Sequence, residues 1–184
     1  MLEAELKYEV PSLSTVRKEL DRRAEGKLAI YHDIYFDNTD RELFRRDAEL
    51  RIRTVISQDD TTKQIFTVKS PPTELKNKNK FESEFLISNA DQAISALKVL
   101  GFAPVTSLSK ECVNYELTYK NKQVACTLVK LSGFSRYFVE IEAQTSQEHY
   151  ESVISFLSAL AQEIGLDESQ RTAEYYTDIV TRNP

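Results

Sequence analysis

The sequence has no tryptophan, and only two cysteines and two histidines. Cys112, Cys126, His32 and His149 share none of the close spacings that build a zinc site, and neither cysteine lies in a Cys-x-x-Cys pair. Two reduced thiols in a cytoplasmic protein are expected. Glycine and proline are scarce, four and five in 184 residues, which argues against long linkers and for one domain over 1–184. No stretch approaches the ~18 consecutive apolar residues of a membrane helix. The first residues are charged from Glu3 onward, with no apolar signal core. Positive charge is not in excess either. A net charge of −5 makes general nucleic-acid binding a poor prospect, while leaving room for a local basic pocket that takes one anion.

Period-two alternation of apolar and polar residues marks strands. It predicts eight of them, near 2–10, 29–37, 48–57, 62–70, 79–88, 109–119, 122–131 and 136–145. Close spacing between several of them favours antiparallel pairing. Helical spacing predicts helices near 12–25, 90–100 and 147–164, with Gly26, Gly101 and Gly165 as their stops and Ser88 or Asn89 capping the second. A short helix near 171–181 closes the series. The Pro- and Lys-rich stretch from Ser70 to Lys80 reads as a loop, and its charged run Lys76–Lys80 as solvated or as a lid.

Side chains at i and i+2 of a strand share a face, roughly 6–7 Å apart. Glu3, Glu5 and Lys7 therefore share one, against Leu2, Ala4, Leu6 and Tyr8. Arg51 and Arg53 oppose Leu50 and Ile52. Thr67 and Lys69 oppose Phe66 and Val68. Lys80, Glu82 and Glu84 oppose Phe81 and Phe85. Glu140 and Glu142 oppose Val139 and Ile141. Paired carboxylates can hold hard cations such as Mg²⁺ or Mn²⁺, and Arg and Lys suit a polyphosphate. The six glutamates and the five cations Lys7, Arg51, Arg53, Lys69 and Lys110 come close to cancelling. A sheet closed into a barrel puts both sets inside, and such an interior must be wet or filled.

Taken in order, these segments resemble the CYTH superfamily, the triphosphate tunnel metalloenzymes. Glu3-x-Glu5-x-Lys7 looks like its opening signature. Asp33-Ile34-Tyr35-Phe36-Asp37 resembles its Asp-x-Tyr-Phe-Asp strand, Leu50-Arg51-Ile52-Arg53 its Leu-Arg-x-Arg strand, and Thr67-Val68-Lys69 its Thr-x-Lys strand. Glu82-x-Glu84 and Phe138-Val139-Glu140-Ile141-Glu142 resemble the later acidic strands. Tyr175 or Tyr176 resembles a closing Ser-Tyr segment. The likeness spans nearly the whole chain and is greatest to the bacterial class IV adenylate cyclases.

The resemblance implies an α+β fold, an eight-stranded antiparallel β-barrel with helices packed outside. It implies Mg²⁺ or Mn²⁺ held by Glu3, Glu5, Glu140 and Glu142, with Glu82 and Glu84 adding metal or basic-residue contacts. A triphosphate is expected on Lys7, Arg51, Arg53, Lys69 and Lys110, with Glu5, Lys7 and Glu142 at the centre of catalysis. Related folds often dimerise, so a homodimer is admitted. Asp33, Tyr35 and Asp37 are expected to be structural, and His32 and His149 to lie on the surface or in loops.

Two positions depart from the family pattern. Cys112 stands where Lys-x-Arg-x-x-Tyr has its arginine. Cys126-Thr127, or Lys130, stands where a Leu-Asp is usual. Three functions stay open: an adenylate cyclase making cyclic AMP and pyrophosphate, an inorganic or thiamine triphosphatase, and an inactive module that binds a nucleotide or polyphosphate.

Overall fold

The computed structural model describes residues 2–72 and 80–182. The chain order is β1 (Leu2–Val10), α1 (Ser14–Asp21), β2 (Lys27–Asp37), α2 (Glu42–Arg45), β3 (Glu49–Ser57), β4 (Thr62–Lys69), β5 (Glu82–Ile87), α3 (Ala90–Val99), β6 (Ala103–Tyr119), β7 (Lys122–Leu131), β8 (Tyr137–Thr145), α4 (Tyr150–Glu163) and α5 (Tyr176–Arg182). The eight antiparallel strands lie in the order β1-β8-β7-β6-β2-β3-β4-β5. The α+β class and all eight strands expected from the sequence are present. Among the described residues, no helix is long and apolar enough to cross a membrane. The run Lys76–Lys80 lies outside the described residues except for Lys80, whose Nζ pairs with Asp47 at 2.7 Å.

The described residues form two compact units. In the one made of Leu2–Ala29 and Lys110–Tyr175, α1 and α4 cover one face of β1, β8, β7 and β6. Leu6, Ile141, Leu128 and Tyr115 meet Val16, Leu20, Leu157 and Leu160 there, all but excluded from solvent. In the other unit, Ile94 and Leu97 of α3 pack on Phe36, Leu50, Ile52 and Phe66. In both units the helices take the apolar side chains of the sheet. The alternating partners, the charged residues among them, stand on the opposite face.

Three details differ from the sequence expectation. β6 begins at Ala103 rather than 109. Pro104 argues against a strand by composition, yet a proline is tolerated near a strand's start. The one-turn α2 carries no periodicity to read. The Asp37 carboxylate makes it by accepting the main-chain N–H groups of Leu43 and Phe44, each at 3.0 Å. Asp37 is thus the structural residue expected. Of the two caps expected for α3, Asn89 is the one used, accepting from the Gln92 N–H at 2.9 Å.

Gly26 is the third difference. The helix it was expected to stop ends at Asp21. Its role is close approach: a Cβ there would lie 2.8 Å from both Tyr115 Cζ and Val113 Cγ1. Tyr115 cannot yield cheaply, because its hydroxyl donates to Asp21 Oδ1 at 2.7 Å and its ring is buried. Gly26→Ala is expected to cost about 1–3 kcal/mol, measured by urea unfolding.

β5 ends the strand order. Its Phe85 stacks on Phe66 with ring centroids 5.2 Å apart, yet Phe85 and Leu86 are largely exposed.

Candidate active site

The polar face of the first unit is built by register. Glu5 lies opposite Glu142, and Lys7 opposite Glu140. Glu140 in turn faces Thr127, and Thr127 faces Asn114. One row thus reads Lys7, Glu140, Thr127, Asn114. Thr127 Oγ1 donates to Asn114 Oδ1 at 3.2 Å. Glu3 is one alternation further along β1, opposite Gln144.

This register decides between the two positions considered for the aspartate that the family pattern has. Thr127 is on the polar face beside Glu140. Cys126 points the other way into the core, fully buried, where burial, with Glu142 and Glu116 adding to it, pushes its thiol up to about 12. Lys130 pairs with Glu111 at 2.9 Å. Towards Lys110 the polar face becomes apolar: Lys110 lies opposite Leu131, Cys112 opposite Val129, and all four are buried. Cys112 thus stands two residues from Lys110 on the same face, a neutral thiol where the family pattern has a cation.

Lys7 is held by the chain that follows α4. Its Nζ donates to the main-chain carbonyl of Glu174 and lies 5.9 Å from the centre of the Tyr175 ring. The Glu174 carboxylate accepts from Arg136 Nη2 at 2.7 Å. Arg136 also forks onto Glu9, from Nε at 2.8 Å and Nη2 at 2.6 Å. The hydrogen bond from Arg136 holds the Glu9 carboxyl below its ordinary value. A carboxyl lowered in the folded state contributes stability above its unfolded value of about 4.3. That contribution is lost as pH falls through the lowered folded value. Urea midpoints followed from about pH 6 to about pH 3 should fall less steeply in Arg136→Gln than in the parent.

In the second unit, the opposed face of β2, β3, β4 and β5 carries a buried ion-pair network. Asp33 is fully buried and accepts a fork from Arg53, Nε to Oδ1 at 2.6 Å and Nη2 to Oδ2 at 2.8 Å. The Arg53 guanidinium also covers the Tyr31 ring at 4.6 Å. Arg51 has four carboxylates around it: Glu49 at 3.6 Å, Glu82 at 3.9 Å, and Asp33 and Glu84 each at 4.0 Å. Burial opposes its charge, but the Glu49 and Asp33 carboxylates and a hydrogen bond with Tyr35 outweigh that and hold it well above the arginine range. Burial, with Glu49 beside it, pushes the Tyr35 hydroxyl well above its usual value, so it stays a neutral donor.

Lys69 pairs with Glu82 at 2.9 Å, and Thr67 Oγ1 donates to Glu84 at 3.0 Å. Glu82 thus meets a basic side chain and Glu84 a hydroxyl. Arg53 is committed to Asp33, and the geometry of Arg51 is looser, since all four carboxylates stand at the outer limit of an ion pair. The sequence reading did not single out Glu49, Arg136 or Glu174. Glu49 sits two residues before Arg51, on the same strand face, and could have been found by that spacing. Arg136 opens the last predicted strand, at even spacing from Glu140 and Glu142, and could have been found the same way, whereas Glu174 lies outside the alternating segments and had no such signal.

A hard divalent cation suits the donors of the first unit. Glu5 and Glu142 are like charges directly opposite one another, which destabilises a strand pair and is relieved by a cation between oxygen ligands. Among the described residues, no three side chains of His, Cys, Asp or Glu converge as a ready cage. A hard divalent cation that keeps several waters and binds through one or two carboxylates plus substrate phosphates needs no such cage.

An eight-stranded antiparallel sheet that has, within each unit, helices on an apolar face and carboxylates with cations on the opposite one defines the class of protein. The sequence profile of the CYTH domain matches residues 1–176, and the chain belongs to the CYTH family. A protein of Methanocaldococcus jannaschii named "Putative adenylate cyclase" is 26% identical over 148 residues, 79% of each chain. A solved structure from Vibrio parahaemolyticus, also named a "putative adenylate cyclase", is 22% identical and covers 98% of both chains with a TM-score of 0.83. A third, from Hippeastrum, covers 99% of this chain and 96% of its own at 18% identity and a TM-score of 0.67. That protein is described as a "putative adenylyl cyclase" with a dominant triphosphatase activity. These two structures share the fold of this chain.

Proposed function

We propose that this chain is a metal-dependent enzyme acting on a nucleoside triphosphate, an adenylate cyclase of the class IV type that converts ATP to cyclic AMP and pyrophosphate. The observation that carries the reading is the facing pair Glu5 and Glu142 with Lys7 and Glu140 in the next row. That row sets an acidic cation-binding group directly beside an ammonium suited to phosphate. The names of the Methanocaldococcus and Vibrio proteins favour cyclisation.

In this reading Glu3, Glu5, Glu140 and Glu142 hold Mg²⁺ or Mn²⁺, with Glu82 and Glu84 as secondary contacts. The bound ion supplies a lowered 3′-hydroxyl pKa and neutralises charge on the reacting phosphoryl. Lys7 and Lys110 bind phosphate oxygens as point charges and stabilise the leaving pyrophosphate. Arg51 and Lys69 exchange their carboxylate partners for phosphate oxygens. Arg53 adds positive charge while staying forked on Asp33. Glu5, Lys7 and Glu142 are the residues on which turnover depends most.

The second reading is hydrolysis of inorganic or thiamine triphosphate, favoured by the activity named for the Hippeastrum protein. The same residues would then orient water to the terminal phosphoryl. Incubating the pure protein with ATP, inorganic triphosphate or thiamine triphosphate, with Mg²⁺ or Mn²⁺, separates the two. Cyclic AMP and pyrophosphate support the cyclase, and orthophosphate the triphosphatase. Tight binding without turnover overturns both in favour of an inactive binding module.

A further inference from the structure

We propose that Arg136, together with Glu9 and Glu174, is a positioning group for Lys7. It pins the segment Arg171–Tyr175 along β1 and so fixes the ammonium that meets the substrate phosphates. The inference rests on the phosphate-binding role given to Lys7 above.

The segment holds Lys7 by both its main chain and its side chain. Arg171 bridges to Tyr8 in antiparallel fashion. The Thr172 N–H donates to the Lys7 carbonyl at 2.9 Å. The chain then turns, with the Glu174 N–H donating to Thr172 Oγ1 at 3.1 Å, and the Glu174 carbonyl accepts from Lys7 Nζ. One N–H of the ammonium is thereby directed, which sets the directions of the other two. Lysine has much rotamer freedom to lose on binding, and an ammonium already held loses less of it when phosphate arrives.

What holds the segment is Arg136. Glu9 and Lys7 share one face of β1 as i and i+2, so the anchor stands beside the residue it serves. The Arg136 guanidinium bonds to Glu9 from two nitrogens and to Glu174 from one of them, and it lies over the Phe138 ring at 5.4 Å. Bidentate geometry of this kind locks a planar fork in a way a point charge cannot. A guanidinium committed to two carboxylates is poorly placed to take the triphosphate itself, so its effect runs through Lys7.

The test is calorimetric titration of inorganic triphosphate into the parent chain and into Arg136→Gln, Arg136→Lys, Glu174→Gln, Lys7→Gln and the double variant Arg136→Gln/Lys7→Gln, at one salt concentration. Arg136→Gln is expected to weaken binding about tenfold, the scale of one hydrogen bond to a charged group. Arg136→Lys should stay weak, because it keeps the charge but loses the fork. Glu174→Gln, which leaves the main-chain carbonyl intact, should shift the same way by a smaller factor. The double variant should bind no worse than Lys7→Gln alone, since two residues acting through one contact do not add. Unchanged binding in Arg136→Gln and Glu174→Gln overturns the proposal. So does a double variant whose losses multiply. A parent chain that binds no triphosphate overturns the substrate reading itself, a distinct outcome.

Discussion

Glu5→Ala and Glu142→Ala are each expected to lose turnover by about 10²–10³-fold, the scale seen when one pre-placed electrostatic group is removed from an active site. The argument is one of opposed requirements. Two carboxylates directly across a strand pair repel each other in the absence of a cation. The apolar face of β1 and β8 is packed by Leu6, Val139 and Ile141, on the side away from these two. Removing either one should therefore leave melting unchanged or raise it slightly, by about 0.2–1 kcal/mol. Loss of activity with retained or increased stability is the pattern of a group kept for chemistry at the expense of the fold. Product assays and circular dichroism melts on the same preparations give both readouts. Full turnover in both variants would remove the metal assignment.

Asp33→Ala should behave in the opposite way and damage the fold first. Asp33 is fully buried and is the forked partner of Arg53, whose side chain is only 15% exposed. Taking away one member of a buried pair leaves the other charged and uncompensated, a loss of about 3–5 kcal/mol. At about 2–4 °C per kcal/mol for a chain of this length, the melting temperature should drop by about 6–20 °C. Arg51, 4.0 Å from the same carboxylate, would lose one of its counter-charges too. A drop below about 1 kcal/mol, the value of an ordinary surface pair, would mean that Arg53 finds another acceptor readily and that Asp33 is not the residue holding it.

Strand alternation was readable because each strand has one face packed by helices and one left polar. All eight strands and the Glu-x-Glu faces followed from it. The same rule says nothing about register. That Glu5 meets Glu142 and Lys7 meets Glu140 depends on how β1 and β8, at distant points of the chain, align. Register also decided that Thr127, and neither Cys126 nor Lys130, is the neighbour of Glu140. Features made by long-range polar contacts left no trace in local pattern. The helix α2 exists because Asp37 reaches forward to Leu43 and Phe44. The Glu9–Arg136–Glu174 link joins three positions that no periodicity connects. Gly26 was noticed for its effect on the backbone, but its reason is the ring of Tyr115 standing where a methyl group would go.

The end position of β5 has a practical side. A terminal strand presents its outer backbone groups as a template for another chain, and here Phe85 and Leu86 add oily side chains to it. The modest net charge of −5 gives molecules some mutual repulsion, and that repulsion weakens as added electrolyte shortens the screening length. Concentrated stocks of this protein will therefore keep their colloidal state better in dilute buffer than in brine. A lysine introduced at Leu86 would be the simplest protective change, since charge on an outer strand is how natural sheets discourage edge-to-edge sticking.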